Sequence, residues 1–158
     1  MISKIVKVIV SILIGWPVSM PNDVYDVLKE NKIKYEIREE MPIKGAYGMY
    51  MFKSGTILIS AEIESSGLQL KYVVAHELVH KYRYENGLWT GDIIFEELIA
   101  VYGTEKMSKH IGFGRISLNE KKTMENLCRL NGFKMPVITD ELLNLIHKEV
   151  NKTLTFIP

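Results

Sequence analysis

His76, Glu77 and His80 stand in the order His-Glu-Leu-Val-His. Side chains four apart on a helix lie one above the other on the same face. Two imidazoles so placed can reach one zinc ion at about 2.0–2.1 Å. Glu77 is one step round the helix, where it reaches a water on the metal without taking a coordination position. The arrangement supplies two ligands and a general base, the parts of metal-assisted peptide hydrolysis. Glu77 would take a proton as the water attacks the scissile carbonyl and deliver it to the leaving amine.

A catalytic zinc needs a third protein ligand and an open position. No later histidine follows at close spacing, so a carboxylate is expected. Glu96 and Glu97 come next, with fifteen and sixteen residues between them and His80. Ile93, Ile94, Ala100 and Val101 stand four and three residues before and after Glu97. That puts Glu97 in the middle of an apolar stripe and makes it the preferred ligand. Glu96 lies at the edge of the stripe and reads as a solvated charge. Tyr102, His110 and His147 are candidates for an additional oxyanion donor. Each reads more simply as a core aromatic or a surface histidine.

The elements that must position these groups follow from periodicity. The flanks Val73-Val74-Ala75 and Leu78-Val79 make the histidine helix apolar on nearly every side, so a central buried helix is expected over 68–85. Buried polar groups there need partners, and zinc provides one. Helices are also expected at 91–109, at 117–130 with Ser117 and Glu120 at capping-box spacing, and at 139–151. Upstream, 21–30 reads as a helix with Val24, Val27 and Leu28 inward. Ile33 to Ile37 reads as a half-buried strand, 41–48 as a loop, and Tyr50–Phe52 with Thr56–Ser60 as a hairpin about Ser54-Gly55. The expected class is α+β: a small sheet packed on an active-site helix, followed by further helices, in a single domain over 1–158.

Composition sets the bounds. The chain has 158 residues, 47% hydrophobic and 25% charged, as a folded globular protein does. A net charge of +1 gives no electrostatic reason to expect nucleic-acid binding. The single cysteine, Cys128, excludes an internal disulfide and a CxxC site. It falls in an apolar-periodic stretch and suits a reducing compartment. Residues 1–16 form a basic then apolar segment. It is too short to span a bilayer, and Pro17-Val18-Ser19-Met20 lacks a small-x-small cleavage site. Its polar residues share one helical stripe, so a helix packed on the domain is expected. A signal peptide or membrane anchor, hence a secreted or tethered peptidase, is the alternative.

Glu97-Leu98-Ile99-Ala100 resembles the ExxA segment of gluzincins, the thermolysin-like peptidases. Val101 stands where many of them carry an Asp or Asn that supports a zinc-binding histidine. The wider layout of residues 1–108 resembles the ImmA/IrrE family of small bacterial and phage gluzincins. That likeness rests on the order of helix, strand, Gly-rich hairpin (Gly45 to Ser60) and the segment Tyr72 to His80. It implies a minimal zincin fold, Zn2+ as cofactor, and a cytoplasmic regulatory protease whose substrate is a transcriptional repressor. It also implies a substrate lying extended along an edge strand, with Thr56–Ser60 or Tyr50–Phe52 in that part. Iron, cobalt or manganese could replace zinc at such a site. A non-catalytic zinc-containing binding module is the competing reading, and the presence of Glu77 argues against it.

Overall fold

The computed structural model describes residues 22–64 and 67–158. The expected helix over 1–16 lies outside the described residues. The architecture is α+β: a three-stranded mixed sheet packs against one central helix, and further helices follow. In chain order the elements are α1 (Asn22–Glu30), β1 (Tyr35–Arg38), β2 (Gly48–Met51), β3 (Thr56–Ser60), α2 (Ala61–Glu64), α3 (Gly67–Glu85), α4 (Ile93–Ile111), α5 (Glu120–Asn131) and α6 (Asp140–Leu154).

α3 carries the histidines. Leu70, Val73, Val74, Ala75 and Leu78 are all fully buried, so the helix is enclosed on nearly every side, as its sequence requires. α4 packs along it. Its start is set by Asp92, whose carboxylate accepts from the Phe95 N–H at 3.1 Å. Its end is set by Gly112, left-handed at φ 93°, where a Cβ would be strained. α1 turns Val24 and Leu28 into the same core, and α6 adds Ile146 and Val150.

The strand order is β1-β3-β2. β3 is central, parallel to β1 and antiparallel to β2, which excludes Thr56–Ser60 as an edge that could receive a peptide. β2 is an edge strand. Ile57 and Ile59 of β3 face the main core. Leu58 points the other way and packs with Ala46 and Met49 in a small second cluster covered by Met41 and Ile43.

Several expectations need correction. β1 is not half-buried along its length. Ile33 is buried, Tyr35 half-buried and Ile37 exposed, because the strand lies at the sheet edge and its cover fades along it. β2 begins at Gly48 and ends at Met51, with Phe52 already in the turn. Gly48 is therefore not a loop glycine: a Cβ there would lie 2.4 Å from Val73 Cγ1, so the residue lets the strand approach α3. α5 starts three residues beyond Ser117. Asn119 caps it, accepting from the Lys122 N–H at 3.0 Å. The chain just before is tied to α4 by the Leu118 N–H donating to Glu105. α6 runs on to Leu154, beyond the expected end at 151, because Val150 and Thr153 remain buried.

Candidate metal centre

α3 and α4 bring His76, His80 and Glu97 together. The Nε2 atoms of the two histidines are 3.2 Å apart. Glu97 Oε2 lies 3.2 Å from His76 Nε2, and Glu97 Oε1 lies 3.1 Å from His80 Nε2. All three side chains are buried, and one ligand atom from each falls within 4.8 Å of the others. The donor set of two imidazoles and one carboxylate suits zinc or a similar divalent ion.

The charges are strongly coupled. Burial alone would raise the Glu97 carboxyl, but His80 and His76 outweigh it and hold it at about 2. Burial alone would lower His80, but Glu97 overrides it and pushes the imidazole up to about 9. In the metal-free chain the pair is thus charged near neutral pH. The His80 contribution to stability is complete below about 6.5 and lost as pH rises through about 9. The Glu97 contribution is present above about 4.5 and lost as pH falls through about 2. A metal ion bound through His80 would displace its proton. Zinc uptake near pH 7 is therefore expected to release about one proton per ion and to tighten toward pH 9. Calorimetry in two buffers of different ionisation enthalpy checks this, and equal heats in both would contradict it.

Glu77 is also buried. One of its oxygens, Oε2, accepts the backbone N–H of Tyr50 at 2.9 Å. The other, Oε1, is buried with no hydrogen-bond partner among the described residues. Burial raises the carboxyl's pKa, against the pull of His76 and His80. A raised, half-satisfied carboxylate beside a metal ligand set is suited to hold a proton in transit. The orphaned Oε1 fits a donor that a bound metal would bring with it.

The edge strand holds Glu77 in place. Tyr47 accepts from Ser60 in the hairpin ladder, so Gly48 and Tyr50 turn their main-chain groups away from β3. The Tyr50 phenol also donates to Glu85 at 3.0 Å, which fastens Tyr50 to α3 at two points. Lys81 pairs with Glu85 and sits over the Tyr50 ring. Gly48 matters again here, because a Cβ would lie 3.3 Å from Glu77 Oε1. Gly48→Ala is expected to cost about 1–3 kcal/mol by overpacking. Urea unfolding measures this, and unchanged stability would show that α3 and β2 can separate freely.

The candidate oxyanion donors fall elsewhere. Tyr102 packs its ring against His147 of α6. His110 is exposed and lines a surface hollow with Lys106, Lys109 and Leu154. None makes a hydrogen bond or ion pair with the triad. Glu96 is the larger correction: it is fully buried, not solvated, and is bound by Arg83. Sequence reasoning missed Arg83, although it stands seven residues after His76 and three after His80 on the same stripe. It also missed the Tyr50 amide and an aromatic wall of Phe52, Tyr84 and Trp89. Trp89 lies 5.8 Å from the His80 ring. Val101 gives no support to a histidine, and the buried Nδ1 atoms of both His76 and His80 have no partner among the described residues.

The fold and site define an α+β domain with a candidate His-His-Glu metal centre. No family model, curated protein or solved structure matches the chain. No helix among the described residues is long and apolar enough to cross a membrane.

Proposed function

We propose that this chain is a zinc-dependent endopeptidase. The carrying observation is the convergence of His76, His80 and Glu97 beside a carboxylate, Glu77, that an edge strand orients. A metal site serving stability alone would not need that fourth group.

His76 and His80 from α3 and Glu97 from α4 would hold the ion. Bound there, zinc would supply Lewis acidity, bringing the pKa of a water toward about 7 and polarising the scissile carbonyl. Glu77 takes the proton from the attacking water on Oε1 and passes it to the leaving amine. The Tyr50 N–H keeps Oε2 engaged, so only the other oxygen is free to move the proton. The buried surroundings exclude bulk water and strengthen each of these interactions.

The substrate lies extended along β2, where the outward-facing main-chain groups of Gly48 and the Tyr50 carbonyl offer pairing while Glu77 holds the Tyr50 N–H. Recognition then reads backbone first. The likeness to ImmA/IrrE proteins supports a regulatory role in the cytoplasm with a transcriptional repressor as the target. Incubating the zinc-loaded chain with unfolded protein substrates, with and without chelator, tests the activity. Chelator-sensitive internal cleavage is expected. No cleavage of any unfolded or repressor-like substrate by the loaded protein would contradict it.

A further inference from the structure

Arg83 is fully buried on the stripe of α3 that bears both histidines. Its guanidinium forks onto Glu96, with Nε donating to Oε2 at 2.6 Å and Nη2 to Oε1 at 3.0 Å. Nη2 also donates to the Leu88 carbonyl at 2.8 Å. Nη1 donates to Glu149 at 3.0 Å and to Thr153 at 3.2 Å, both on α6. Glu96 Oε1 accepts further from the Thr90 N–H and hydroxyl, each at 2.9 Å. One carboxylate thus binds α3, the connection to α4 and α4 itself.

Glu96 and Glu97 are neighbours in the opening turns of α4, where a helix is most prone to fray. Their side chains diverge around the helix, one to Arg83 and one to the histidines. Pinning Glu96 sets the rotation and rise of that turn, and so the position of the Glu97 carboxylate. The need is real, because metal sites tolerate only about 0.5 Å of misplacement. The usual alternative, an outer partner on each histidine, is not supplied by the described residues: neither Nδ1 atom has a hydrogen-bond partner among them. Net stability does not explain the pair, since a buried ion pair often contributes little over an apolar replacement.

We infer that Arg83 is a positioning residue for the metal centre, acting through Glu96 to place Glu97. This rests on the proposed metal site and names what holds its third ligand in register.

The test is the zinc affinity of Glu96→Gln, measured by competition with a chromophoric chelator, with the visible spectrum of the cobalt form beside it. Glu149→Gln is the control. It removes the charge from a contact of the same guanidinium on the α6 side and leaves Glu96 alone. Glu96→Gln is expected to weaken zinc by about tenfold or more and to alter the cobalt spectrum. Glu149→Gln is expected to lower stability with little change in either. Should Glu96→Gln fail to fold, Arg83→Lys keeps the charge without the fork and is expected to weaken zinc to a smaller degree. A folded Glu96→Gln or Arg83→Lys chain that binds zinc as the wild type does overturns the inference and leaves the metal site standing. A wild-type chain that binds no zinc overturns both.

Discussion

Glu77→Gln is expected to abolish nearly all cleavage while the protein keeps its zinc. The substitution changes almost no volume. The amide oxygen can still accept the Tyr50 N–H, so the contact between α3 and β2 survives. What disappears is basicity at the oxygen that has no other partner. General-base contributions are worth about 10²–10⁴ in rate, so kcat/KM should fall by that factor. Zinc content should be unchanged, because Glu77 is not among the ligands. Cleavage at the wild-type rate with zinc in place would remove Glu77 from the mechanism. A variant that regulates a partner as well as the wild type does, without cutting it, would favour a binding module.

The second large effect is on stability. Arg83→Met is expected to lower unfolding free energy by about 3–5 kcal/mol, because it leaves the buried Glu96 carboxylate without its cation. Adding Glu96→Leu to that variant should restore part of the loss, since two apolar side chains remove the uncompensated charge. Recovery is not expected to be complete. Thr90 loses both of its bonds to Glu96, and Glu149 loses its partner. Urea unfolding of the two single variants and the double variant gives the coupling. Strict additivity would mean that the two side chains do not act as a pair.

What is legible in the sequence is mostly local. His76 and His80 are set on one face by i,i+4 spacing, and the enclosed nature of α3 follows from its apolar flanks. The four long helices are recognisable from period and caps, and Gly112 and Gly132 mark real ends. Stripe position turns Glu97 inward as found but misplaces Glu96, which is buried as well. What escapes is set by contacts distant in sequence. Glu96 is read as solvated because its partner, Arg83, lies on another helix, thirteen residues away. Gly48 is read as a loop residue because nothing nearby announces that Val73 will lie against it. The fading burial of β1 and the central place of β3 depend on strand order, which alternation along a single strand does not encode. The cap at Asn119 instead of Ser117 reflects the tie between Leu118 and Glu105 on α4.

The resulting picture divides labour between two neighbouring glutamates. Glu97 faces the histidines, and Glu96 locks the helix that carries it. β2, an edge strand of the sheet among the described residues, brings a backbone donor to Glu77. His76, Glu77 and His80 all stand on α3, and Glu97 comes from α4, which packs along it.

Metal content is the decisive measurement for the centre formed by His76, His80 and Glu97. The tag-free protein should be purified, supplied with zinc, desalted and measured by mass spectrometry, with His80→Ala and Glu97→Ala beside it. About one zinc per wild-type chain is expected, lost or much weakened in both variants. A wild-type chain that stays free of zinc after the ion is supplied would contradict the account and leave only the fold.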